Sequence, residues 1–228
     1  DSPKTAAALT ETLAQIDRLV AAAERQDRDW LLTGDYAIEA VTAPDGAVFP
    51  NRLLRQAGLF HTRETARMLY PDFFTSRAFA IADHQIAHVH VPDPADLPRV
   101  RELLASREGI GEILDRPAQI ERDLHHPDRS GDLLLLAAPG RWFAYPWWTD
   151  PRQAPDYAAH MDIHNKPGFD PCELFFGFPP PHTSRKTERI RGTHGRSGPG
   201  HDVAAAGLFP EARSFAELAA ALRRRLTP

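Results

Sequence analysis

The sequence has little from which cross-links or membrane anchors could be built. It contains one cysteine, Cys172, so no disulfide can form within the chain. No run approaches the about 18 apolar residues of a transmembrane helix, and no basic segment followed by an apolar stretch opens the chain as in a signal peptide. We therefore expect no membrane span, and the cysteine content is compatible with the reducing cytoplasm, which is the location we predict.

The chain also lacks an excess of positive charge. The 27 Lys and Arg residues are outnumbered by 31 Asp and Glu residues, which gives a net charge of −4. A mildly acidic protein lacks the broad positive field that holds a phosphate backbone, so we exclude a nucleic-acid polymer as a partner. Only three of the basic residues are lysines, and we attribute this arginine excess to codon usage rather than to recognition by arginine.

Histidine, by contrast, is frequent. Eleven of the 228 residues are histidines, and several lie beside acidic residues in the sequence. Imidazole nitrogens and carboxylate oxygens are common ligands of divalent cations such as zinc. The composition therefore favours a metal site.

Residues 1–76 are predicted to form part of an α/β core. The spacing of Leu9 and Leu13 continues through Val20 and predicts an opening helix that ends near residue 26. The apolar run from Trp30 to Leu32 is interpreted as a buried parallel strand that places Asp35 at its carboxyl end, where α/β sheets bind ligands. A short helix is expected over residues 51–57, with a glycine stop at position 58.

Residues 77–146 have the pattern of a small α+β insertion. Two strands around an Asp83-His84-Gln85 turn precede a helix over 98–106, a strand over 111–114 and a helix over 117–124. The leucines at 133–136 and the aromatic run at 142–145 are predicted to form a hairpin around Pro139-Gly140. Residues 147–228 then return to the core with site loops and a C-terminal helix, capped by Ser214 with Glu217.

Two clusters of candidate ligands occur in the first half of the chain. Asp35 at its predicted strand end could coordinate a metal, although a turn or capping aspartate is the simpler interpretation. At the tip of the predicted hairpin, Asp83 and His84 could contribute ligands together with His88 and His90. For His88 and His90 we favour a structural role as half-buried strand residues, whereas His84 in the turn stays open.

Two more clusters occur near the end of the chain. Asp162 and His164 alternate ahead of a Pro-Gly turn and could face one cavity. His194 stands between glycines in the segment 192–195, which would allow a close backbone approach over a pocket. Cys172 with His164 as a base could be a nucleophile, but its neighbours would not lower the pKa of the thiol, so a buried structural cysteine is the better interpretation.

These motifs resemble the type I phosphodiesterase/nucleotide pyrophosphatase family of the alkaline phosphatase superfamily. Residues 30–38 look like the strand that ends in that family's Asp-His-Gly signature, and residues 192–195 are similar to its late Gly-Ser/Thr-His-Gly motif. Residues 51–59 resemble the short helix after the signature strand, and residues 162–170 resemble a segment of bacterial members. The opening residues 1–17 resemble the stretch that comes directly after an upstream ligand motif in the family.

The resemblance implies that the chain is the C-terminal part of an alkaline-phosphatase-like α/β/α core. Members of this family hold two divalent metal ions, usually zinc, on either side of a Thr or Ser nucleophile, which here would precede Asp1. Asp35 would bind one metal and His194 the other, with further ligands from the missing N-terminal half of the same protein. Apart from that half, the expected partner is a small phosphorylated substrate.

One departure from the family pattern concerns the signature itself. Tyr36 stands at the position of the signature histidine and Ala37 at that of its glycine. A neutral phenol, with a pKa of about 10, is a poor zinc ligand unless the metal ionises it. His84 or His164 are alternatives for the missing ligand.

The sequence supports three functional hypotheses. The first is a metal-dependent hydrolase of phosphate esters or phosphoanhydrides whose nucleophile lies outside this chain. The second is a pseudoenzyme or binding domain that keeps the fold but has lost one metal site, as Tyr36 would suggest. The third is an unrelated enzyme with a single metal bound by Asp162, His164 and His194. Substrate identity and oligomeric state stay open.

Overall fold

The computed structural model describes residues 3–159 and 186–227, and the backbone of residues 175–176 and 183–184. In these parts of the chain the helices are α1 (Pro3–Arg25), α2 (Pro50–Gln56), α3 (Leu97–Ala105), α4 (Arg116–Glu121) and α5 (Phe215–Leu226). The strands are β1 (Leu31–Thr33), β2 (Glu39–Ala40), β3 (Ala47–Val48), β4 (Thr62–Thr65), β5 (Met68–Pro71), β6 (Phe79–Asp83), β7 (Ile86–His90), β8 (Ile110–Asp115), β9 (Leu133–Ala137), β10 (Trp142–Phe143), β11 (Phe175–Phe176), β12 (Thr183–Ser184), β13 (Gly192–Thr193) and β14 (Ala205–Gly207). The predicted mixed α/β class is confirmed.

The chain divides into two compact units. Residues 1–36 and 202–228 form the first, and residues 37–201 form the second. The domain boundaries at residues 76 and 146 stay a prediction. Within the described residues, no helix combines the length and the apolar composition needed to cross a bilayer.

The first unit contains α1, β1, β14 and α5. The predicted opening helix is confirmed as α1, but no residue of it is buried, and Leu9, Leu13 and Leu19 are all more than half exposed. The predicted buried parallel strand at Trp30–Leu32 is wrong, because β1 pairs antiparallel with β14. These two strands form a sheet of their own, which is too small to bury a strand on both faces, so Leu32 stays 40% exposed.

Helix α5 begins with the predicted cap. The Ser214 hydroxyl accepts a hydrogen bond from the Glu217 amide at 3.2 Å. The Glu217 carboxylate accepts one from the Arg213 amide at 2.7 Å. The predicted buried face is only partly correct, since Leu218 is buried while Phe215 and Leu226 are exposed.

The centre of the second unit is a four-stranded antiparallel sheet in the order β6-β7-β9-β8. The predicted order of strands and helices over residues 77–137 is confirmed. Helix α2 packs beside β6 and α3 beside β8. Leu54 of α2 and Leu104 of α3 are fully buried in the same core as the sheet residues Leu133 and Leu135. Burial of each such leucine stabilises the fold by about 1.5–3 kcal/mol.

The predicted hairpin between residues 133–136 and 142–145 is wrong. Strand β10 pairs in parallel with β3 instead, with Trp142 opposite Ala47 and Phe143 opposite Val48. The reason is that both edges of β9 are already occupied, one by β7 and the other by β8. The chain must therefore leave this sheet after β9, and it turns at Gly140, which has a φ of 70°.

Helix α2 ends as the sequence predicts. Gly58 has a φ of 71°, a conformation that glycine adopts without a steric penalty. The Gly58 amide donates to the Arg55 carbonyl and the Leu59 amide to the Leu54 carbonyl. These two bonds form a Schellman motif, which satisfies the last carbonyls of the helix.

Asn51 of α2 is bound to the outer strand of the sheet. Its side-chain amide donates to the Ala80 carbonyl and accepts from the Ala80 amide, both at 2.8 Å. Asn51 is buried, and Ala80 lies on β6, which ends the sheet on this side. The Asn51 side chain thus bonds to Ala80 as a neighbouring strand would.

We expect Asn51→Ala to lower the free energy of unfolding by about 2–4 kcal/mol, because it leaves two buried backbone groups without partners. Urea unfolding would measure the change. Asn51→Asp is the matched variant, since it keeps the acceptor and removes the donor. A loss below about 0.5 kcal/mol for Asn51→Ala would contradict this role.

Candidate functional site

Three potential metal ligands meet in the second unit. Asp83, His84 and His194 each offer one ligand atom, and these atoms all lie within 4.8 Å of one another. His84 and His194 are both candidates from the sequence, and the fold brings them together from positions that are far apart in the chain. Asp83 stands beside His84 at the predicted hairpin tip, although the family resemblance assigns it no metal. We call these residues the Asp83–His84–His194 group.

Two of the three residues belong to the tip of the β6–β7 hairpin. Asp83 pairs with Ile86, so His84 and Gln85 form a two-residue turn. His84 has a φ of 50°, whereas Gln85 does not have a positive φ. The turn is fixed from outside, because the His84 carbonyl accepts from the Phe143 amide at 2.6 Å and the Gln85 carbonyl accepts from the Ala137 amide at 2.9 Å.

The positive φ of His84 yields a prediction about stability. A residue with a Cβ atom is strained in this left-handed region, and glycine is not. We therefore expect His84→Gly to be about 1 kcal/mol more stable than His84→Ala in urea unfolding, although both variants lose the same imidazole. An equal or greater stability of His84→Ala would show that the turn relaxes when the ring is removed.

His194 reaches this hairpin through short-range backbone contacts. Strand β13 pairs with β2, with Thr193 opposite Glu39, and the His194 carbonyl accepts from the Gln85 amide at 2.8 Å. Gly195 has a φ of 121°, and a Cβ atom there would lie 3.0 Å from Ile86 Cγ1. The close approach expected of the glycines around His194 is therefore present at Gly195.

The two imidazole rings lie against each other. Their centroids are 4.3 Å apart, with an angle of 39° between the planes. Thr193 is buried, and its hydroxyl oxygen lies 3.5 Å from Nδ1 of His84. The ring of Trp142 lies 6.2 Å from that of His84. This packing holds two ring nitrogens and the Asp83 carboxylate within reach of one cation.

Glu39 of β2 connects the turn to the segment that carries His194. One carboxylate oxygen, Oε2, accepts from Gln85 Nε2 at 3.0 Å, from His201 Nε2 at 2.9 Å and from Arg196 Nη1 at 3.4 Å. The other, Oε1, accepts from the Gly140 amide at 2.5 Å. The Gln85 side-chain oxygen in turn accepts from the Arg196 amide at 3.3 Å.

The surroundings of Glu39 favour its charged form. Burial by itself would raise the pKa of the carboxyl, but hydrogen bonds from Gln85, His201 and Gly140 and the charge of Arg196 together lower the pKa from 4.5 to about 2. Glu39 is therefore an anion at neutral pH. The second ring nitrogen of His201, Nδ1, is buried and has no hydrogen-bond partner among the described residues.

Sequence reasoning missed Glu39, Gln85, Arg196 and His201 as residues that support the site. Glu39 stands in the run Ile38-Glu39-Ala40, which has no motif that marks it. His201 follows a Gly-Pro-Gly loop and was counted only as one of the eleven histidines. Glu39, the carboxylate that His201 contacts, lies 162 residues away in the sequence, so no local pattern points to the pair.

The other predicted ligands are not part of this group. Asp35 and Tyr36 belong to the first unit, where the Asp35 carboxylate accepts from the Tyr36 amide at 2.9 Å. Their convergence with His194 stays a prediction. Asp162 and His164, like Cys172, lie outside the described residues.

His88 and His90 have the structural role that the sequence favours. Both are half-buried on β7. His88 Nδ1 accepts from the Gly131 amide at 3.1 Å, and the His90 ring stacks on Phe79 with centroids 5.0 Å apart. Burial lowers the pKa of both imidazoles, so each is neutral at physiological pH.

The Asp83–His84–His194 group fits a divalent cation. Two imidazole nitrogens and one carboxylate oxygen are a ligand set used by zinc in sites that keep a fourth position for water or substrate. Among the described residues this is the one group of three such ligands that lie close enough together. The described part of the chain thus supplies ligands for one cation.

Comparison with known families identifies the chain. The family model for type I phosphodiesterase / nucleotide pyrophosphatase matches residues 1–195, which is most of the sequence, so the chain belongs to this family. The resemblance found in the sequence motifs is confirmed. No curated protein matches the chain significantly.

Two solved structures show partial similarity to the chain. Phosphonoacetate hydrolase from Sinorhizobium meliloti 1021, in complex with phosphonoacetate, has 18% identity and a TM-score of 0.41, covering 56% of this chain and 31% of its own. Murine ectonucleotide pyrophosphatase/phosphodiesterase 5 has 13% identity and a TM-score of 0.43, covering 63% of this chain and 34% of its own. The chain thus spans about a third of the structures that it matches.

Proposed function

We propose that this chain is the C-terminal part of a metal-dependent hydrolase of phosphate esters or phosphoanhydrides. The observation that carries the proposal is the Asp83–His84–His194 group, which lies in a member of the type I phosphodiesterase/nucleotide pyrophosphatase family. One of its ligands, His194, belongs to the late Gly-Thr-His-Gly motif through which the resemblance was found. The substrate class is a small phosphorylated molecule.

Two divalent cations, with zinc the preferred metal, complete the proposed site. His194, His84 and Asp83 hold one of them, so His84 serves the same cation as His194. Asp35 contributes to the second, with Tyr36, Asp162 and His164 as further candidates. When bound, such a pair of cations stabilises the attacking and leaving oxygens of an in-line phosphoryl transfer.

The residues around the Asp83–His84–His194 group have a positioning role in this proposal. Glu39 and Gln85 hold the hairpin turn against the His194 segment, and Thr193 is packed beside the His84 ring. Because ligand position must be kept within a fraction of an ångström, these contacts set the affinity of the site for its metal. We assign no nucleophile to this chain, since the family's Thr or Ser is expected in a segment before Asp1.

The partner that we propose for completion is the N-terminal half of the same protein. It is supported by α1, whose Leu9, Leu13 and Leu19 side chains are more than half exposed in the described structure. Exposed leucines along one helix are typical of a surface that another segment covers. The cytoplasmic location also stays a prediction.

The test is a comparison of this chain with the protein extended to include the preceding segment. We expect the chain alone to hydrolyse no bis(p-nitrophenyl) phosphate, and the extended protein to hydrolyse it with two zinc ions bound per molecule. Metal analysis by mass spectrometry measures the stoichiometry. Turnover by the chain alone with stoichiometric zinc would contradict the proposed division of ligands.

A pseudoenzyme is the second candidate function. It is favoured by Tyr36, which stands where the family has its signature histidine. An extended protein that binds two metals but turns over no phosphoester would support this candidate instead. Restoring histidine by Tyr36→His would then be expected to produce measurable hydrolysis.

A further inference from the structure

Four arginines line two adjoining cavities of the second unit. One cavity, of about 520 Å³, is lined by Arg52, Arg107 and Arg141, and the other, of about 270 Å³, by Arg52 and Arg55. Both cavities also share Gln56 and Thr149. We call this combined surface the arginine groove. It has no residue in common with the Asp83–His84–His194 group.

Arg52 is held rigidly in the centre of this groove. Its Nε atom donates to the Trp148 carbonyl at 2.7 Å, and its Cζ atom lies 3.6 Å from the centroid of the Phe49 ring. The Nη atoms of Arg52 have no carboxylate partner among the described residues. A cation that is fixed and partly withdrawn from water is well prepared for an anion, because little side-chain entropy is lost on binding.

The charge of the groove is opposite to that of the chain. Among the described residues its charged side chains are the four arginines and two acids, Asp45 and Glu108, so this lining is positive although the whole chain has a net charge of −4. Glu108 is bound to Arg141, with 2.6 Å between the paired atoms. Arg52, Arg55 and Arg107 form no ion pair in the described part of the chain, so the excess charge lies on these three.

The burial of Arg52 also disfavours its charged form. Burial lowers the pKa of the guanidinium, and no carboxylate in the described part of the chain offsets this. Many arginines elsewhere in this unit are paired, including Arg63 with Asp72, Arg77 with Asp96 and Arg122 with Glu112. Arg52, Arg55 and Arg107 thus differ from these arginines in having no carboxylate partner among the described residues.

We propose that the arginine groove is a second binding site, which takes the phosphate group of a small molecule. Guanidinium groups bind phosphate through paired hydrogen bonds, and three unpaired arginines match the charge of a phosphate dianion better than that of a single carboxylate. Gln56 and Thr149 add neutral hydrogen-bonding groups. The proposal does not depend on the hydrolase function, because it requires neither a metal nor a nucleophile.

The experiment is calorimetric titration of the chain with inorganic phosphate in buffer freed of metal by a chelating resin. We expect saturable binding, and an increase in Kd of about tenfold or more in Arg55→Gln and Arg107→Gln, since each loses one charge-assisted contact. Arg52→Gln is expected to bind most weakly. If Arg52→Gln fails to fold because it loses its contact to Trp148, the other two variants still test the site.

Two controls make the result specific. Arg122→Gln removes an exposed arginine outside the groove and is expected to leave Kd unchanged. His194→Ala is also expected to bind phosphate as the wild type does, since it lies outside the groove. Glycerol 3-phosphate in a parallel titration shows whether the site takes phosphate monoesters as well as free phosphate, and either result supports the proposal.

Four outcomes would overturn the proposal. The first is a Kd for phosphate and for glycerol 3-phosphate weaker than about 10 mM. The second is unchanged binding in both Arg55→Gln and Arg107→Gln. The third is acetate binding as tightly as phosphate. The fourth is loss of phosphate binding in His194→Ala, which would move the site to the Asp83–His84–His194 group.

Discussion

His194→Ala is expected to weaken zinc binding by this chain about 100-fold or more, because it removes one of three protein ligands from the Asp83–His84–His194 group. His84→Gly should have a similar effect, since it removes the second imidazole. The affinity can be measured by competition with a chromogenic chelator. The assay is independent of turnover, so it applies to the chain without any further segment.

The matched control for this prediction is His126→Ala. His126 is exposed and lies in the loop between α4 and β9, away from the hairpin tip. Removal of this imidazole should leave the zinc affinity of the Asp83–His84–His194 group unchanged and affect only adventitious zinc at the surface. Equal zinc affinity in wild type and His194→Ala would rule out the site as described and with it the main support for the metal-dependent hydrolase.

Glu39→Gln is expected to lower the free energy of unfolding at pH 7 by about 2–3 kcal/mol. Glu39 is a largely buried anion, with a side chain 19% exposed, and its pKa is lowered from 4.5 to about 2. Each pKa unit corresponds to about 1.4 kcal/mol of interaction that favours the charged form in the folded state. Glutamine has nearly the same shape but cannot carry the charge that Arg196 and His201 face.

The same pKa shift sets the pH dependence. A group whose pKa is lower in the folded state stabilises the fold above its unfolded pKa, and this contribution is lost as the pH falls through the folded value. The contribution of Glu39 is therefore complete above about pH 5 and disappears between about pH 4.5 and pH 2. The free energies of unfolding of wild type and Glu39→Gln, measured with urea over this pH range, should therefore converge at the acid end.

Glu112→Gln provides the control. Glu112 pairs with Arg122 at 2.8 Å, but both side chains are about half exposed, and a surface pair of this kind contributes about 0–1 kcal/mol. A stability loss in Glu39→Gln no larger than that of Glu112→Gln would contradict the central role of Glu39. Zinc affinity of Glu39→Gln offers a second measurement, since a misplaced turn should weaken it about tenfold or more.

The features that were predicted correctly depend on residues close together in the chain. The turn at Asp83-His84-Gln85 follows from two short strands with a polar break, and the end of α2 follows from one glycine. The cap of α5 requires only Ser214 and a glutamate three positions later. In each case the interacting groups lie within a few residues of one another, so the sequence pattern contains the whole interaction.

The errors arose where strand partners come from distant segments. Three apolar residues after α1 are compatible with a parallel or an antiparallel strand. The antiparallel direction is set by the partner strand β14, which lies near the opposite end of the chain. Likewise, the aromatic run at 142–143 reads as the second strand of a hairpin only if the edge of β9 is free. An apolar run specifies burial but does not specify which edge it pairs with.

The candidate site shows the same limit. His194 could be recognised from its flanking glycines, but Glu39 could not, because its four hydrogen-bonding partners are 46, 101, 157 and 162 residues away. Asp83 was visible beside His84, yet only the fold brings its carboxylate to the His194 ring. Ligands that carry a motif can be found in the sequence, whereas the residues that hold them require the structure.

The bond between Asn51 and Ala80 also has a consequence for association between molecules. Strand β6 is the outer strand of its sheet, and an outer strand with free amides and carbonyls can pair with a strand of another chain. Asn51 already occupies both backbone groups of Ala80, the second residue of this strand. The row of unpaired backbone groups along this edge is thereby interrupted, which disfavours edge-to-edge pairing with another chain as well as stabilising the sheet.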